Sequence, residues 1–142
     1  MIHLNNIIEA ISIKLFELVG CKIYMEEVKQ GLKTPCFFIS HLNTSKTELL
    51  NSRAKRANTF EIMYIPLNGK QEINNVLDAL LDGLKFVTDT HGNIYHGINM
   101  SSEVVDNVLH LQVNYNYTTI EQTVRDSMES VSITQGVRNE EN

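Results

Sequence analysis

Two cysteines in 142 residues are too few for a disulfide framework, and Cys21 and Cys36 stand in no metal-ligand spacing. Two buried free thiols in a reducing compartment are expected instead. Positive charge is also short. Twelve Lys and Arg against 17 Asp and Glu leave a net charge of −5, whereas a dedicated nucleic-acid binder shows a basic balance. No run approaches the roughly 20 apolar residues that span a bilayer. The opening "MIHLNNIIEAISIKLFELVG" is amphipathic rather than continuously apolar, so it does not read as a secretory signal. Internal repeats and low-complexity segments are missing as well. These absences leave a protein of the cytoplasm, or of an assembly built there.

What is present is ordinary for a globular chain: 42% hydrophobic and 20% charged residues. The length suits one domain and is enough to bury a stable core. Leu4, Ile7, Ile8, Ile11, Leu15, Leu18 and Val19 follow helical spacing, with Asn5 or Asn6 as a cap and Gly20 as a left-handed stop. A short strand "KIYMEEV" and a longer one, "CFFISHLNTSKTELL", come next. "NSRAKRAN" reads as a loop or strand tip. In "TFEIMYIP" Phe60, Ile62 and Tyr64 alternate with Glu61, Met63 and Ile65, and Pro66 ends the ladder. "LNGKQEINNVLDALLDGLKFV" carries a leucine-rich helical stripe. "IYHGINMSSEVV" and "VLHLQVNYNYT" then form a hairpin turning at Asp106-Asn107.

The predicted fold is α+β: a mostly antiparallel sheet of about five strands with two helices on one face, in the order α-β-β-β-α-β-β. Residues 1–118 are expected to form the single domain. Residues 119–142 are expected to be a partly flexible extension with a short strand near "SVSIT".

Several stretches hold residue types that can carry chemistry. "KQGLKTP" has one glycine, and Pro35 opens a strand, so Lys33-Thr34 is no phosphate loop. Cys36 precedes "FFI", where desolvation raises a thiol pKa rather than activating it. The five histidines show no ligand spacing. Glu26 and Glu27 point to opposite faces of a strand, and Asp78 and Asp82 share a solvated helix face. Hence no catalytic, cofactor-binding or metal-binding residue is assigned, and the chain is not read as an enzyme. One charged cluster stands out. Arg53, Lys55 and Arg56 lie at the far end of a long strand pair against an acidic background. They read either as a solvated loop or as the contact residues of an arm that meets an acidic surface or phosphates.

The pieces "IY.E.V.QGL..PCFFI" from Ile23 to Ile39 and "F.I.Y.P" from Phe60 to Pro66, set between an amphipathic helix and a leucine-rich one, resemble the phage tail terminator family. The likeness is to members from contractile-tailed phages and phage-like elements of Gram-positive bacteria, and it covers residues 4–118. It implies a virion protein assembled in the host cytoplasm, without cofactor or active site. Such a protein forms a hexameric ring on the head-proximal end of the tail tube, stops polymerisation, and meets tube, sheath and neck proteins. No membrane or specific nucleic-acid partner is implied, though genomic DNA passes such a ring. The rival readings are another neck or head-tail joining protein and, from a different class, a small cytoplasmic ligand-binding module with a concave polar pocket.

Overall fold

A computed structural model describes residues 4–26 and 31–120. Within them the chain divides into two compact units, one of residues 4–44 with 57–116 and the other of residues 45–56 with 117–120.

The first unit opens with helix α1 (Leu4–Leu18), which buries Ile7, Ala10, Ile11 and Leu15 at helical spacing. Lys14 and Glu17 pair at 3.5 Å on its wetter side. The helix ends as its sequence predicts, with Gly20 at φ +77°. Its start differs from expectation: Asn5 and Asn6 lie inside the helix and do not precede it. Helix α2 (Lys70–Gly83) buries Ile73, Val76 and Leu80. Its N-cap is Gly69, which has no side chain to offer. Glu72 compensates, accepting from the Leu67 and Asn68 N–H groups, each at 2.9 Å, and from the Tyr64 hydroxyl at 2.6 Å.

Among the described residues, six strands follow the order β1-β2-β3-β6-β5-β4 across the sheet. They are β1 (Lys22–Tyr24), β2 (Cys36–Glu48), β3 (Arg53–Ile65), β4 (Phe86–Thr88), β5 (Ile94–Val105) and β6 (Val108–Ile120). The predicted α+β architecture holds, with one strand more than expected. β4 was read as the run-out of α2, because three residues are too short to show a period. β1 runs parallel to β2 through Lys22–Tyr24 and Cys36–Phe38, while β4, β5 and β6 pair antiparallel. The β5–β6 hairpin turns at Asp106 and Asn107, both left-handed at φ 51° and 61°, as that dipeptide predicts.

Period-two alternation puts Phe60, Ile62 and Tyr64 of β3 and Leu109, Leu111, Val113 and Tyr115 of β6 into the core. Gly97 of β5 stands opposite Tyr115. A Cβ at Gly97 would lie 2.5 Å from the Leu84 carbonyl oxygen, so only glycine lets β5 approach the end of α2 this closely. The gap is closed by two hydrogen bonds to backbone oxygens. Gly97 N–H donates to Lys85 at 2.8 Å and the Tyr115 hydroxyl to Leu84 at 2.6 Å.

The second unit is the end of β2, the turn after it, the start of β3 and the end of β6. Its internal bonds run from Arg56 to the Tyr117 hydroxyl at 3.2 Å and from the Thr119 hydroxyl to the Ala54 carbonyl at 3.4 Å. Of the extension expected at 119–142, Thr119 and Ile120 belong to β6. The rest, with the strand expected near "SVSIT", lies outside the described residues.

Candidate functional site

From Ser40 onward every residue of β2 is exposed, on both of its faces. A strand with two wet faces has no core to serve. Its composition agrees, since "SHLNTSKTE" offers only Leu42 as a large apolar side chain. The turn into β3 is closed by Leu49 N–H donating to the Arg53 carbonyl at 2.8 Å. Asn51 and Ser52 supply the two left-handed residues, at φ 62° and 58°, the pattern of a primed hairpin turn. Beside them Leu50 is 82% exposed, with Leu49 also open to solvent.

The three candidate cations belong to β3 rather than to a loop, the turn being confined to the residues before Arg53. Alternation separates them. Arg53 and Lys55 share an exposed face, while Arg56 falls with buried Ala54 and Asn58 on the other and is half-buried. The Arg53 Nε donates to the Leu50 carbonyl at 3.4 Å. Arg56 gives a guanidinium hydrogen to the Tyr117 hydroxyl at 3.2 Å. Two of the three therefore form one outward patch beside an exposed leucine pair. The third is an internal support.

The first unit holds a feature that the sequence reading missed. A cavity of about 340 Å³ is lined by Met25, Leu32, Phe38, Ile39, Met63 and Ile65, with Glu26 and Ser40 at its polar side. It lies on the side of β3 opposite the Phe60–Ile62–Tyr64 face. The signal for it was in the alternation, because Met63 and Ile65 are apolar where a one-sided strand would be polar. A second depression, about 280 Å³, is polar. There His110 Nδ1 lies 3.5 Å from Glu61 Oε2, with Ser101, Glu103 and Gln112 around them.

The residues weighed for chemistry lie apart. Cys36 is buried and Cys21 only half-buried, which corrects the expectation for the latter; both are free. Burial pushes both thiols up, the opposite of activation. Lys33 contributes a backbone N–H to the Tyr24 hydroxyl at 3.3 Å. Among the described residues, no three His, Cys, Asp or Glu side chains group as metal ligands. Asp89, among the described residues, has a strongly depressed carboxyl. Burial would raise it, but bonds from the Asn93 side chain and N–H, the Tyr95 hydroxyl and the His91 N–H prevail and hold it at about 2. Those four bonds, at 2.8 to 3.0 Å, tie the turn before β5. No helix among the described residues is long and apolar enough to cross a membrane.

A family model described as "Phage tail terminator protein" matches residues 6–127. The chain belongs to the phage tail terminator family. The two signature stretches, Ile23–Ile39 and Phe60–Pro66, both fall within the match. Comparison with curated protein sequences finds no match. Family membership gives the chain a structural role in tail completion, in association with other tail proteins. The family is a structural one rather than an enzymatic one.

Proposed function

We propose that this tail terminator forms a ring of six on the head-proximal end of the tail tube. It stops growth of the tube, and of the sheath in a contractile tail, and offers its free side to neck proteins. It works in the virion, by binding alone and without catalysis. The observation that carries this reading is the family match across residues 6–127. The exposure of β2 from Ser40 onward supports it, since a strand that serves no core of its own is available to a neighbour. A ring needs heterologous contacts that close by rotation, and an exposed element on one copy that meets a different surface on the next supplies that type.

Mass in solution together with negative-stain images tests the proposal. The expected particle has six times the 16.2 kDa of the chain, or assembles to that number on purified tail tubes and prevents their elongation. A chain that stays monomeric and leaves tube growth unaffected would contradict the ring. Binding to head connectors but not to tubes would favour a head-tail joining role instead.

A further inference from the structure

We infer that the Leu49–Leu50 turn of one copy inserts into the apolar cavity of Met25, Leu32, Phe38, Met63 and Ile65 on the next copy. This deepens the ring proposal and rests on it. Leu50 is 82% exposed and Leu49 is 39% exposed at the head of a hairpin, so Leu50 in particular leaves most of its apolar surface in water. Leu50 stands in a tight turn immediately ahead of its two left-handed residues, so its backbone has little conformational freedom left to lose on binding.

The cavity has complementary properties. Its lining is mostly apolar and its volume, about 340 Å³, is at the small end of what pockets enclose, suiting a pair of aliphatic side chains. Charge matches as well. Arg53 and Lys55 flank the leucines on an exposed face, and Glu26 stands at the polar side of the cavity. A small apolar plug with cations beside it thus meets an apolar socket with an anion beside it, as an anchored core with a polar rim requires. Plug and socket are different surfaces of one chain, so in a ring each copy gives its plug to one neighbour and receives the plug of the other, the head-to-tail contact that closure requires. Apolarity, size and charge together point to a second copy of this chain as the occupant.

A photo-reactive benzophenone side chain at position 50, with linked peptides mapped by mass spectrometry, tests the contact. The expected product is a covalent dimer joined between position 50 and a peptide carrying Met25 or Met63. Leu50→Asp and Met25→Asp, both at exposed positions, should each weaken association roughly thirtyfold, the scale of losing an anchor residue. The melting temperature of the separated chain should not change. Rings that form with links mapping elsewhere, or that tolerate both substitutions, overturn the plug and socket while leaving the ring intact. Chains that never associate, in solution or on tubes, overturn both.

Discussion

Asn58 is completely buried yet every polar atom of its side chain has a partner. Its amide donates to the Tyr115 carbonyl at 2.8 Å, and its carbonyl accepts from the Thr44 hydroxyl at 2.9 Å, which in turn lies 2.6 Å from His41 Nε2. Replacing it by leucine removes both bonds. The expected cost is about 1–3 kcal/mol, read as a lower urea midpoint with an unchanged m-value. Asp89 gives a pH-dependent counterpart. Its folded pKa, about 2, lies below the ordinary 3.8, so the unfolded chain binds the proton more readily. The stabilisation is complete above about pH 4 and is lost as pH falls towards 2. Melting temperatures of the native chain should therefore decline over that window, and Asp89→Asn should be less stable at neutral pH and flatter in acid. An unchanged acid slope in the variant would show that the turn does not depend on this carboxylate.

At the scale of elements, the junction of α2 with β5 is a point of close backbone approach. Gly97→Ala drives a Cβ against the Leu84 carbonyl oxygen and the Tyr115 and Val113 side chains, all within 3.1 Å. Because one of these atoms is backbone, the strand has to move, at an expected cost of about 1–3 kcal/mol in a denaturant titration. This constraint was not legible in the sequence, where "HGIN" looks like any glycine in a strand. Other elements were. The stripe of Ile73, Val76 and Leu80 announced α2, and Asp106-Asn107 announced its hairpin, because each rests on spacing or backbone preference within a few residues. What stayed hidden depends on partners distant in sequence. β4 has only three residues, the parallel pairing of β1 leaves no mark on its own strand, and the irregularity between Ile98 and Ser101 becomes visible only against β6. A tip was expected over "NSRAKRAN", but its narrowing to Asn51–Ser52 was not legible, because serine is an uncommon choice for a left-handed position.

For the whole molecule, the candidate surface was half legible. Charge alone drew attention to Arg53, Lys55 and Arg56, but strand parity, which depends on where β3 begins, decides that only the first two face outward together. The apolar cavity was overlooked because its lining comes from four separate stretches of chain. The separation sharpens a test of assembly. Reversing Arg53 and Lys55 to Glu alters an exposed face, so the fold should survive with its melting temperature unchanged. Each reversal replaces a cation by an anion and so shifts a net charge already at −5 by two further units, and the pair removes the cations proposed to meet Glu26. Copies of the variant should therefore associate more weakly than the native chain at low ionic strength. At about 1 M salt, where screening acts within roughly 3 Å, repulsion between variant copies fades and part of the association should return, because the leucine plug is untouched. Arg56→Glu should behave differently. It breaks the bond to Tyr117 within its own unit, so its effect should appear in thermal stability and should not be rescued by salt. Sedimentation of the two variants at low and high salt separates these outcomes, and rings that form normally from the double reversal would reduce Arg53 and Lys55 to solvated surface.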